Sequence, residues 1–480
     1  MNQHSSDAGH HLMTGTIKIF LAEALILPTG FITAVFLART LGPIGYGLFA
    51  LVSRLILWIE WTCLGGFSGT TVKFIGENSD WRPVGSTSLH LHFIIGIVTG
   101  GIIWLLAPLI SSFFNEPDMA GYIRLFSVEF PILGLSSACS NILVGTGRYQ
   151  DVARIGALRL IARVFLIILF VEWGLSVKGA ILGTIGASVV ELIISWYYAR
   201  PVLFYKSAFP IRRLLGFGAP LFISELCQRI FRLDLFALKA LGATAAQAGY
   251  YGAALNLTIA PVIFSKSLSY PMLSTLSSLL GKGEDPKARE IAMTSIRSTI
   301  WLIPFAAMTA GASKEIVILI FGERYLSAGP ILAFLIFAAI GMLAINVSKN
   351  ILTALGKPGW TSIVAVPMVP LALIGHLILI PLMGGVGAAI VTASVACLGA
   401  LVSLIMIYRI WDISLPLKSV LKCFASAVLA FAIATLWPAA GLMLILKLIF
   451  IMLIILLFFL VTGEFTAGEI HMFRSIIRFP

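Results

Sequence analysis

The chain is 59% hydrophobic and 11% charged, so the residues able to do chemistry stand out as the few ionic side chains set inside apolar stretches. Burying such a charge in hydrocarbon costs about 2.5–3.5 kcal/mol even on the lenient insertion scale, so each must face protein or water. Glu225, Gln228, Arg229 and Arg232 follow at offsets of 0, 3, 4 and 7 and share one face of a helix. Glu225 precedes Arg229 by four, the favourable order for an intrahelical ion pair, which leaves Arg232 without such a partner. Arg54 is followed by Trp58 and Trp61 at offsets 4 and 7, and Lys266 lies in a later apolar stretch near Pro271. A cavity lined by Arg54, Arg229, Arg232 and Lys266 is cationic, with Trp58 and Trp61 as flat faces on which a sugar could stack. The alternative for each cation is snorkelling to an interface or pairing for packing, and for the tryptophans an interfacial belt. The acids Glu23, Glu60, Glu129 and Glu225 are candidate coupling-ion residues that could carry protons or coordinate sodium, with Glu191 beside them; they could equally pair with the arginines.

Long apolar helices must position these groups. A soluble domain runs near 45–50% hydrophobic and about 25% charged, so the composition is that of a membrane protein, and about 20 apolar residues suffice for one crossing. Spanning segments fall at about 16–38, 45–66, 89–110, 119–143, 153–173 and 178–199, then at about 214–238, 249–271, 292–312, 328–350, 359–382 and 386–408. Two more follow near 418–437 and 440–462, giving about fourteen transmembrane helices in an all-α membrane protein.

The two sets of six are copies. Asn141, Ile142, Leu143, Gly147 and Arg148 recur 209 residues later as Asn350, Ile351, Leu352, Gly356 and Lys357. Leu41, Gly42, Gly45, Tyr46 and Gly47 return as Leu241, Gly242, Gly249, Tyr250 and Gly252, and Gly179 with Ala180 as Gly387 with Ala388. The expected organisation is a six-helix lobe over 1–200, a second over 201–410, and two further helices with a tail over 411–480. Two similar halves about a membrane-embedded interface form a transporter architecture.

Lys and Arg cluster on alternate connections, among them Lys73, Arg148, Arg154, Arg159, Arg163, Arg212, Arg213, Lys282 and Lys357. The opposite set holds only Arg39, Arg124, Lys178, Lys239, Lys314 and Arg324. This bias places both termini in the cytoplasm. The largest outer loop, about Lys314 to Ser327, is too short to fold alone. The linker Arg200–Gly216 reads as a hinge region or as a basic loop anchoring at the inner leaflet. Met1–Gly15 lacks the basic start and cleavage site of a signal peptide. The five cysteines, Cys63, Cys139, Cys227, Cys397 and Cys423, show no paired spacing and read as small buried hydrophobes. The net charge of +12 is dispersed between apolar segments, which points to lipid headgroups rather than nucleic acid. Gly281–Lys282 and Gly356–Lys357 lack the upstream glycine of a phosphate-binding loop, and no zinc-protease or nucleophile-elbow motif occurs. No cofactor or metal is expected.

Phe36–Leu51, with Ala38, Arg39, Leu41, Gly42 and Pro43 and then Tyr46, Gly47, Leu48, Phe49 and Ala50, resembles the first outer loop and second helix of the polysaccharide biosynthesis flippases. These are Wzx-like oligosaccharide-lipid translocases of the superfamily that also holds the multidrug and toxic compound extrusion (MATE) transporters. The Gly147–Arg148 turn, its copy at Gly356–Lys357 and the fourteen-helix plan are similar too, so the resemblance covers essentially the whole chain. It implies two MATE-like lobes in a bacterial cytoplasmic membrane that export an undecaprenyl-pyrophosphate-linked oligosaccharide for O-antigen, capsule or exopolysaccharide. It also implies a cationic central cavity, assigned here to Arg54, Arg229, Arg232 and Lys266, with a polysaccharide polymerase and glycosyltransferases as further candidate partners. The competing readings are a peptidoglycan-precursor flippase, a multidrug antiporter, which would favour an acidic cavity, and a membrane oligosaccharide polymerase, which would need a substantial outer loop.

Overall fold

A computed structural model of the chain describes residues 26–77, 80–203, 205, 209–216, 233–259, 261, 272, 275–276, 279–357, 359–413 and 417–464. The chain divides into two compact units, Met1–Gly249 and Tyr250–Pro480. The first holds α1 (Ile26–Glu77), α2 (Arg82–Phe113), α3 (Met119–Ser127), α4 (Glu129–Gly145), α5 (Tyr149–Phe170), α6 (Ser176–Ala199) and α7 (Asp234–Ala240), and α8 (Ala245–Leu257) runs from it into the second. The second holds α9 (Asp285–Ile300), α10 (Ile303–Gly311), α11 (Ser313–Phe321), α12 (Ala328–Ala354), α13 (Gly359–Trp411), α14 (Leu417–Leu436) and α15 (Leu442–Val461).

Nine helical stretches among the described residues are long and apolar enough to cross a membrane. Three run to about 50 residues, near 75 Å at 1.5 Å per residue, against a hydrocarbon core of about 30 Å. Each of the three breaks at a residue outside helical geometry. Gly42 (φ 68°, ψ 179°) breaks α1, with Pro43 starting the next segment. A π-turn at Val171–Leu175 followed by Ser176 (φ 50°, ψ −130°) separates α5 from α6, and Gly384 (φ 56°, ψ −131°) folds α13 back. Three double and six single stretches make twelve crossings among the described residues. The expected spans near 214–238 and 249–271 lie partly outside those residues. α15 is apolar almost throughout and α2 along its later half, and they leave Leu105, Leu109, Leu442 and Leu460 exposed, a surface suited to lipid.

The duplication extends to the backbone. Gly147 (φ 75°) and Gly356 (φ 71°) close the same left-handed helix end, with Arg148 N–H donating to Leu143 O at 2.8 Å and Lys357 N–H to Leu352 O at 2.9 Å. Ser176 and Gly384 share one conformation at equivalent places, so a serine in the first copy sits where the second uses glycine.

Two expectations change, at 314–327 and at Cys397, and the linker gains local detail. Residues 314–327, expected as a loop, are largely α11 and a 3-10 turn at Glu323–Tyr325; the apolar run Ile316–Phe321 favours burial, and Gly322 (φ 94°) ends it. The described part of the 200–216 linker is fastened to the first unit: Ser86 Oγ donates to Leu203 O at 2.9 Å, Phe209 N–H to Thr87 Oγ1 at 3.1 Å, and Tyr205 OH to Asp80 Oδ2 at 2.7 Å. Cys397 is exposed, whereas Cys139 and Cys423 are buried and Cys63 half-buried, all four as free thiols; Cys227 lies outside the described residues.

Candidate functional site

Five charged side chains converge inside the first unit. Arg159 and Arg163 lie four residues apart on one face of α5. Opposite them, α6 presents Ser188 and Glu191, α4 presents Glu129 from its first turn, and α1 presents Glu60. Arg159 Nη1 stands 3.1 Å from Glu191 Oε2, an ion pair. Ser188 Oγ donates to Glu129 Oε1 at 2.5 Å, and Glu129 is 3% exposed. The charged neighbours of Glu60 are Arg159, Glu129, Glu191 and Arg163. The Nε of Arg163 is buried without a hydrogen-bond partner among the described residues. Burying five ionic groups is tolerable only because opposite charges adjoin; Ser188 satisfies one oxygen of Glu129, while Glu191 Oε2 is held by the charge of Arg159 and has no hydrogen bond among the described residues. Among the described residues the cluster counts three carboxylates against two guanidiniums, so ion binding or release there would change the local charge.

Three of the acids singled out from the sequence, Glu60, Glu129 and Glu191, are thus brought together, Glu191 paired with an arginine. Arg54, also on α1, is half-buried, forms no hydrogen bond or ion pair among the described residues, and is not among the charged neighbours of the cluster's carboxylates. Trp58 is half-buried and Trp61 is 41% exposed. Glu23, Glu225, Arg229, Arg232 and Lys266 lie outside the described residues. Sequence reasoning missed the roles of Arg159 and Arg163. It counted them among the loop charges, but they lie well inside α5, and the orientation bias rests on the remaining Lys and Arg. Their four-residue spacing in an otherwise apolar segment was the available signal.

A second constellation lies at one end of the first unit. Lys239, expected as a loop charge, is buried at 4% exposure, its Nζ 2.7 Å from Glu116 Oε1 and 2.9 Å from Ala243 O. Nearby, two glycines of the duplicated motif face each other. A Cβ on Gly47 would collide with Ala245 O, and one on Gly249 with Pro43 O. The two helices therefore touch backbone to backbone.

A family model described as polysaccharide biosynthesis protein matches residues 36–330. The chain is 25% identical over 389 residues to the Probable low-salt glycan biosynthesis flippase Agl15 of Haloferax volcanii, covering 80% of each chain. It is 24% identical over 334 residues to the lipopolysaccharide biosynthesis protein WzxC of Escherichia coli, covering 67% of this chain and 65% of that one. Among solved structures, the lipid II flippase MurJ in an inward closed conformation superposes with a TM-score of 0.74 over 97% of this chain and 100% of the other; at 16% identity the likeness is one of fold. With the family match extending over more than half of its length and the described residues forming an all-α, multi-pass membrane bundle, the chain belongs to the polysaccharide biosynthesis protein family.

Proposed function

We propose that this protein is a flippase that moves a polyprenyl-pyrophosphate-linked oligosaccharide across the cytoplasmic membrane of a bacterium, with both termini inside. The observation that carries the reading is the family match over 36–330, joined to the duplicated bundle. Flipping requires hiding a polar sugar and about two negative charges from hydrocarbon, which a water-filled cationic cavity can do. Arg54, free of ion pairs among the described residues, is the cation available to such a cavity from α1, with Arg229, Arg232 and Lys266 as its companions and Trp58 and Trp61 as stacking faces. Glu60 and Glu129, within the ionic cluster, are the coupling residues, ahead of Glu23 and Glu225. With the cell interior negative, outward movement of two negative charges gains about 4–5 kcal/mol per 100 mV if no charge is carried back.

The test is deletion of the gene followed by analysis of surface glycan and of lipid-linked intermediates. Loss of surface glycan with intermediates retained on the inner leaflet is the expected result. Unchanged glycan with intermediates on the outer leaflet would overturn the reading. The fold likeness to MurJ favours one second reading, a peptidoglycan-precursor flippase. Accumulation of that precursor instead would identify it.

A further inference from the structure

We infer that Glu116 and Lys239, with the glycine seam beside them, form a latch that holds one end of the bundle shut and releases once in each transport cycle; the cycle itself rests on the transport reading. Gly47 belongs to the first copy of the duplicated motif and Gly249 to the second, and each lies where any larger side chain would strike the other helix's backbone. The kinks that set up this crossing are duplicated as well, at Gly42 (φ 68°) and Gly242 (φ 94°). Two backbones in van der Waals contact leave no path for water or solute. In a membrane, glycines let helix backbones approach closely and are held by packing contacts, not by burial of apolar area, so the seam is dry but has no directional, charged hold of its own.

The ion pair supplies the missing hold. Glu116 sits in the turn after α2, in the first repeat; Lys239 sits in α7, at the start of the second. Phe114 and Phe236, two and three residues before Glu116 and Lys239, meet with ring centroids 6.3 Å apart and are themselves buried. With the ammonium 4% exposed, its attraction to the carboxylate is that of a low-dielectric site. Separating the repeats here would bare a buried ammonium unless water entered at once, and entering water would solvate both charges and weaken the pair. The contact therefore has two stable conditions, dry and paired or wet and apart, which suits a switch. The loop charges place this end on the outside.

The experiment has two arms in a background lacking the five native cysteines. Ala248, fully buried beside Gly249, is replaced by Cys and the reaction of the new thiol with an impermeant maleimide is timed. Lys239→Gln should raise the labelling rate by about tenfold or more. The charge-swapped pair Glu116→Lys with Lys239→Glu should bring it back toward the starting value. In the second arm, Glu116→Cys with Lys239→Cys is oxidised to a disulfide; surface glycan export should stop and resume on reduction of the same sample. An unchanged rate of maleimide labelling at position 248 in the Gln variant, or export continuing in fully cross-linked protein, would overturn the latch. The labelling arm needs no substrate, so a wrong function would leave it intact. The return of export on reduction excludes misfolding as the cause of arrest.

Discussion

Replacing Arg159 by Met and Glu191 by Gly together should leave the bundle folded and stop transport. The design is taken from the protein's own second repeat. Counting 209 residues on from Arg159 gives Met368, and 208 on from Glu191 gives Gly399, the offsets that relate the duplicated motifs. In the structure a Cβ on Gly399 would lie 2.7 Å from Met368 Sδ, so the thioether lies over the glycine where the first repeat sets guanidinium against carboxylate. Ser188 and Glu129 likewise correspond to Ala396 and Ala338, and α12 meets Ala396 through Gly341, one turn from Ala338. The helix packing thus exists in the same molecule without the charges. Arg159→Met alone strands Glu191 and should cost about 3–5 kcal/mol, whereas replacing a buried pair by apolar groups is commonly neutral or stabilising by about 1–4 kcal/mol. A glycine inside α6 takes back about 1 kcal/mol. The double variant should therefore be more stable than the single by at least about 2 kcal/mol and lie near the parent. Thermal inactivation in detergent gives the order of the three proteins, and surface glycan with membrane abundance gives the function. A double variant no more stable than the single would refute the equivalence of the repeats; wild-type export by the double variant would remove the cluster from the mechanism.

Ser176→Gly should stabilise the protein by about 1 kcal/mol, because the positive φ is strained for serine and the matching turn already uses Gly384; an unchanged or lowered unfolding midpoint would count against this. Lys447→Met should destabilise the second unit by about 3–5 kcal/mol by leaving Glu315 with Ala439 N–H as its remaining donor, and adding Glu315→Gln should recover much of the loss in the same thermal assay. The hydrogen bond from Tyr205 holds the Asp80 carboxyl below the usual carboxylate range. A depressed folded value gives stability that is present above the ordinary value and lost only as pH falls through the depressed one. The linker at 200–216 should therefore stay protected from proteolysis until strongly acid pH, and Tyr205→Phe should move its release upward; release at the same pH in both proteins would disprove the contact's role.

Much of the architecture was legible because membrane spans are written in composition: 119–143 and 328–350 were expected and Met119–Gly145 and Ala328–Ala354 observed. The duplication was legible because its glycines are needed for their backbone angles, as at Gly147 and Gly356. Partnerships were not. Arg159 and Glu191 are 32 residues apart, and nothing periodic links them. Lys239 read as a loop charge because it falls one residue past the expected span 214–238, whereas its burial depends on Glu116, far earlier in the chain. The outer segment at 314–327 was misread because its charged ends mask an apolar centre that folds back as α11.

The Glu315–Lys447 pair also bears on how the chain is built. α15 has a mean hydropathy of 3.3, with Lys447 wholly buried in the finished fold. An ammonium at the centre of a span opposes insertion by about 2.5–3.5 kcal/mol, and Lys447, in the first third of α15, by less; leucines, isoleucines and phenylalanines favour insertion by about 0.3–0.6 kcal/mol each, and α15 is made almost entirely of them. The helix can therefore leave the insertion machinery for lipid on its own, carrying one charge with nothing to neutralise it. Glu315 has by then already been synthesised. Docking of α15 removes that mismatch, so a newly made chain advertises its incompleteness to the membrane until this helix has found its place.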